Sequence, residues 1–181
     1  MMNLRSIIAI KILGYYFLNP HKKHYINELA DLLKLDPGNV YRKLKELSDE
    51  GVLTSEFRGN QNYFYLNRNY PLLKEIKKTY EAKYGLVNLI RQKLTGLKGL
   101  TEAYIFGSYA GNSLQQESDI DILLVGDHSA REAKKLILPL QSDFKREINV
   151  IDLTSAELNV RKKKDDAFIK NIFSRPLIKL Y

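Results

Sequence analysis

Apolar positions recur at helical spacing through the first half of the chain and in short, strand-like runs through the second. Leu4–Leu18 is apolar around most of the turn, which predicts a helix covered on several sides, and Pro20 ends it. Asn27 reads as the N-cap of a second helix with Leu29, Ala30, Leu32 and Leu33 inward. Asp36 reads as the cap of a third, with Pro37 in its first position. Val40, Leu44 and Leu47 form one face of that helix, and Gly51 stops it. Two strand-like runs follow, Val52–Phe57 and Tyr63–Leu66. The polar stretch Arg58-Gly59-Asn60-Gln61-Asn62 joins them into a hairpin. Pro71–Leu94 predicts one long helix: Leu73, Ile76, Tyr80, Val87, Ile90 and Leu94 follow an alternating three/four spacing that Lys83 interrupts.

Gly96 and Gly99 mark a boundary, after which the pattern changes. Ala103–Phe106, Asp119–Val125 and Glu147–Leu153 read as strands, and Leu177–Leu180 as a last short one. Ser129–Phe144 and Ser155–Phe173 read as helical. Strands alternating with helices indicate an α/β domain. The expected organisation has two domains of mixed α/β and α+β class: a helical domain with a hairpin over residues 1–70, a linker or dimerisation helix over 71–97, and a small α/β domain over 98–181.

Charge adds a direction. The 181 residues include 29 Lys and Arg against 21 Asp and Glu, a net +8. Residues 1–97 hold 16 of the basic and 9 of the acidic side chains, and the remainder is nearly balanced. An excess confined to the N-terminal part fits a polyanionic partner there; solubility alone is the plainer explanation. The absence of cysteine excludes disulfide scaffolds, thiolate metal sites and thiol nucleophiles. Ile7–Leu18 after Arg5 imitates a signal peptide, but Lys11 interrupts it, no small-residue cleavage site follows, and it is too short to span a bilayer. The expectation is a cytoplasmic protein without a membrane segment.

Three helices followed by a hairpin within residues 4–67 resemble a winged helix-turn-helix domain, as in ArsR-like and MarR-like regulators. Asp36–Leu47 is similar to that family's recognition helix and Gly51–Asn67 to its wing. With Val40, Leu44 and Leu47 inward, the residues Asn39, Arg42, Lys43 and Glu46 are expected outward. In a major groove Arg reads guanine and Asn reads adenine. Arg58, Asn60 and Gln61 at the hairpin tip suit phosphate or minor-groove contact. The resemblance implies double-stranded DNA as a partner. The gain from paired half-sites predicts a homodimer through the first helix, the 71–94 helix or both; the alternative for the 71–94 helix is packing on the two domains. The alternative is a winged helix used for protein contacts.

Gly107-Ser108-Tyr109-Ala110-Gly111-Asn112, followed by Ser118-Asp119-Ile120-Asp121-Ile122, resembles the Gly-Ser…Asp-x-Asp signature of minimal DNA polymerase beta-like nucleotidyltransferases. A turn at Gly107-Ser108 after a strand can hold nucleotide phosphates. Asp119 and Asp121, two apart on a strand, put both carboxylates on one side, where they can hold Mg²⁺ bridged to the oxygens of a nucleoside triphosphate (NTP). The resemblance implies a third carboxylate on a later strand. In Arg146–Asp152 that position falls on Asn149, which lacks the charge; Glu147 lies on the same face and Asp152 on the other. Tyr109 and Gly111 stand where the family commonly has Arg, and Asn112 where it has Gly.

The combined expectation is a DNA-binding regulator whose nucleotidyltransferase-like domain binds NTP and Mg²⁺ weakly and has lost transfer. The rivals are an active enzyme moving a nucleoside monophosphate to a protein or small molecule, and an interaction scaffold using neither surface. His21-Lys22-Lys23-His24 reads as a solvated turn, Arg161–Lys164 as a charged helix face, and His128 as a loop residue.

Overall fold

The Ser6 hydroxyl accepts the Ala9 N–H and starts the first helix, α1 (Ile7–Leu18). This is a computed structural model; it describes residues 6–111 and 118–181. The chain divides into two compact units, Met1–Gly85 and Leu86–Tyr181.

In the first unit α1 is followed by α2 (Ile26–Leu33), α3 (Pro37–Asp49), the hairpin strands β1 (Leu53–Arg58) and β2 (Gln61–Leu66), and α4 (Leu73–Tyr84). Residues 12–18 of α1 are all buried, as its near-continuous apolarity predicts. Ile12, Leu13, Tyr16, Leu29, Leu44 and Leu47 form the centre of the core. Gly14 admits the Tyr80 hydroxyl of α4, with which a Cβ there would collide. The Tyr80 ring also meets Phe17 edge-on at 5.2 Å. Asp36 caps α3 through the Asn39 N–H, with Pro37 first. Asn27, in contrast, lies inside α2, whose N-cap is Tyr25 without a side-chain bond.

His24 is buried rather than solvated. Its Nε2 lies 2.7 Å from the Tyr15 hydroxyl, its Nδ1 3.1 Å from the Glu28 carboxylate, and its backbone bridges Phe64. The hairpin is tighter than its polar stretch suggests: Arg58 pairs with Gln61, leaving Gly59 and Asn60 as a two-residue turn.

The expected 71–94 helix is two helices. Gly85 takes an extended conformation (φ −68°, ψ 157°) and ends α4; α5 (Leu86–Leu94) begins the second unit. Of the expected seam positions, Ile90 and Leu94 are buried there beside Leu86, and Val87 is half-buried.

The second unit continues with β3 (Leu100–Phe106), α6 (Gly107–Ala110), β4 (Ile120–Gly126), α7 (Ala130–Ile137), α8 (Leu140–Phe144), β5 (Ile148–Leu153), α9 (Ser155–Lys163), α10 (Ala167–Phe173) and β6 (Ile178–Lys179). The two predicted long helices are each broken: one at Leu138-Pro139, the other at Lys164–Asp166, where Asp165 has φ 52°. The sheet order is β5-β4-β3-β6, with β4 and β5 parallel and the other pairs antiparallel. On one face Leu123, Val125 and Leu153 pack with Leu158, Ile169 and Ile172 of α9 and α10. Ala103, Ile105, Ile120, Ile122 and Leu124 point to the other face and are fully buried. The His128 side chain is buried as well, its Nε2 3.1 Å from Asp152 on that second face.

Candidate functional site

Asp121 occupies the row of the sheet where three strands meet in register: Phe106 of β3, Asp121 of β4 and Asn149 of β5. Paired residues share a face, here the face that carries Leu123 and the α9–α10 layer. Asp119 stands just ahead of β4 and reaches the same point. The Asn149 amide donates to Asp119 at 3.1 Å and lies 3.5 Å from Asp121. The expected convergence of Asp119, Asp121 and Asn149 is therefore present. Glu147 is exposed, and its backbone carbonyl accepts the Ile120 N–H where the parallel pair begins.

Gly107 closes the site on the β3 side. Its φ is +73°, and a Cβ built on it would lie 2.6 Å from Asp121 Oδ2. A side chain is excluded there twice, by backbone conformation and by the carboxylate. Ser108 and Tyr109 follow in α6, half-buried. Asn112 lies outside the described residues.

Burial raises the pKa of Asp121 from its ordinary value, and the like charge of Asp119 adds to it; the Asn149 hydrogen bond opposes them. Two carboxylates this close favour a bound cation. Among the described residues no group of three His, Cys, Asp or Glu side chains could hold a metal. Asp119 and Asp121 fit a hard divalent ion only if further oxygens come from elsewhere, such as a triphosphate.

One positioning residue escaped the sequence. Arg146, given no role by the sequence, is buried, and its guanidinium donates to the Ser118 carbonyl at 2.8 Å. It ties the start of β5 to the residue before Asp119.

The basic surface of the first unit divides differently from the expectation. Arg42 is exposed and donates to the Asn39 side chain. Asn39 and Lys43 are half-buried, and Lys43 pairs with Glu46. Tyr41 and Lys45, which the spacing did not single out, are exposed beside Arg42. Arg58, Asn60 and Gln61 are exposed at the hairpin end. Arg58 is held at 2.5 Å by Glu56, which also binds Lys23 at 2.8 Å. The two cations hold the Glu56 carboxyl below its ordinary range.

Residues 88–174 match the family model Polymerase beta, Nucleotidyltransferase. The matched stretch falls within the second unit. No curated protein matches the chain. Among solved structures, a toxin–antitoxin with AMP-PNP is 20% identical over 52% of this chain and 72% of that one, at a TM-score of 0.38. The toxin–antitoxin MntA-HpeT, solved as a mutant, is also 20% identical, over 52% and 72%, at 0.37. TrmBL2, an archaeal chromatin protein, is 17% identical over 87% of this chain and 68% of its own, at 0.28. Among the described residues no helix is long and apolar enough to cross a membrane.

Proposed function

We propose that the protein is a DNA-binding regulator whose nucleotidyltransferase-fold domain binds an NTP with Mg²⁺ and transfers little or nothing. The observation that carries the second half is the Asn149 amide lying against the Asp119 and Asp121 carboxylates. A neutral donor satisfies that pair where a third anion would raise its affinity for cations. Mg²⁺, when bound, would supply charge neutralisation for the triphosphate. Asp119 and Asp121 would ligate it, Gly107 and Ser108 would flank the phosphates, and Asn149 would orient the carboxylates. Without a third carboxylate at the Asn149 position, no anion on that face of β5 accepts the proton of an attacking hydroxyl.

The DNA half rests on the order of three helices and a hairpin in the first unit, the winged-helix arrangement. It is supported by the exposed cations Arg42, Lys45 and Arg58 and by the N-terminal charge excess. Arg42 would read a base edge, and Arg58, Asn60 and Gln61 would contact backbone or minor groove. A homodimer would match such a module to two half-sites. A cytoplasmic setting belongs to the same reading.

The rival, an active nucleotidyltransferase, is favoured by the complete Asp119–Asp121 pair. Incubation with labelled NTPs and candidate acceptors, beside a DNA-binding titration, separates them. Salt-sensitive DNA binding with NTP binding and no transfer supports the proposal. Rapid transfer supports the rival, and no DNA affinity at low salt removes the regulator.

A further inference from the structure

Phe168 is 43% exposed, although Ile169 and Ile172 of the same short helix are buried. Its ring meets Phe106 edge-on, with centroids 6.3 Å apart and planes at 85°. Phe106 is the last residue of β3 and stands directly opposite Asp121, on the same face of the sheet. The two rings thus continue the carboxylate site toward the α9–α10 layer, and Phe168 is the outer member with an open surface.

The backbone that carries the ring is also anchored. The Asp166 carboxylate accepts the Phe168 and Ile169 N–H groups at 3.0 and 3.1 Å, and Ile169 and Ile172 anchor α10 to the sheet. An exposed aromatic side chain carries a hydration cost. One carried on an anchored helix and already resting on a second ring is suited to receive a flat apolar surface, since less conformational freedom is lost on binding.

We infer that Phe168, backed by Phe106, is the platform on which the base of the bound nucleotide stacks. This rests on the nucleotide reading given above and extends it to the other end of the ligand. Stacking tolerates any base but gains with π surface, so purine nucleotides should bind more tightly than pyrimidine ones.

The test uses the full chain with Mg²⁺ and compares ATP, UTP and inorganic tripolyphosphate by calorimetry. Phe168→Leu keeps the apolar contact with Phe106 and removes the π face; Phe168→Tyr keeps the face. The leucine variant should bind ATP about tenfold more weakly, with tripolyphosphate unchanged, and the tyrosine variant should bind ATP like the parent. Unchanged ATP affinity in Phe168→Leu overturns the platform, as does an equal loss of ATP and tripolyphosphate. If the parent protein binds neither ligand, the nucleotide reading itself fails and the platform falls with it.

Discussion

The amide of Asn149 donates to the Asp119 carboxylate at 3.1 Å, from a strand that runs parallel to the one Asp119 precedes. Replacing that donor by an acceptor reverses the local electrostatics. Asn149→Asp sets a third anion against two others, so without divalent ions the variant should lose on the order of 1 kcal/mol, a fall of several degrees in Tm. Added Mg²⁺ with NTP should restore the loss and raise any transfer above the parent level. Thermal melts with and without Mg²⁺ read this directly. A variant indifferent to Mg²⁺ would mean the carboxylates are not a cation site.

Gly107→Ala is expected to be costly beyond its size. A left-handed backbone alone costs a non-glycine residue about 1–2 kcal/mol. Here the new methyl would also press on Asp121 Oδ2, 2.6 Å away. Either the α6 turn or the carboxylate must move, so NTP binding should fall by more than the stability change explains. Calorimetry beside denaturant melts separates the two; a fully stable variant with intact binding would contradict the assigned role of the turn.

Much of this was written in local signals. Asp36-Pro37 announces α3, and Gly107-Ser108 with Asp119 and Asp121 marks the site, because capping, turn and strand-parity rules act over a few residues. The errors share another cause. The spacing through 71–94 carried one helix across Gly85, whose extended backbone ends α4. On α3 the apolar stripe runs through Val40, Leu44 and Leu47. At roughly 100° per residue, Lys43 falls close to that stripe, while Tyr41 and Lys45 fall on the open side. Lys43 was therefore placed too far outward; the half-burial of Asn39 does not follow from the stripe. Arg146 and Phe168 act through partners 28 and 62 residues away, and no local pattern encodes such a pairing.

Arg42 is exposed on the open side of α3, beside Lys45. Arg42→Ala should weaken binding to a cognate duplex by about 1–3 kcal/mol and relax preference at one base position. Titration against a small set of mutated duplexes shows whether the loss is sequence-specific. A uniform loss across all duplexes would reassign Arg42 to the phosphate backbone.

On the proposed DNA-binding reading, Glu56 would compete with the duplex for two cations. Its carboxylate holds Arg58 at 2.5 Å and Lys23 at 2.8 Å. Glu56→Gln removes that charge and frees both side chains for phosphate. Affinity for any duplex should rise severalfold at low salt, and the slope of log affinity against log salt should steepen by about one or two counterions. Weaker binding instead would show that Glu56 orients Arg58 for its contact rather than restraining it.

Asp121 offers a test in which stability and function move in opposite directions. Burial and the neighbouring Asp119 raise its pKa above that of the unfolded chain. The folded protein therefore holds this proton more tightly than the unfolded one. Stability falls as pH rises through the window between the unfolded value and the raised folded value, and the penalty is complete above it. Asp121→Asn is neutral at every pH and removes the penalty. The variant should melt above the parent at neutral pH, and the difference should shrink as pH falls through that window, where the parent becomes protonated. Mg²⁺-dependent NTP binding should be lost in the variant at all pH values, and in the parent should decline over the same acid window. Melting curves at several pH values, paired with calorimetry, examine both halves. A variant less stable than the parent at neutral pH would mean that Asp121 is held by favourable contacts and is not strained by its surroundings.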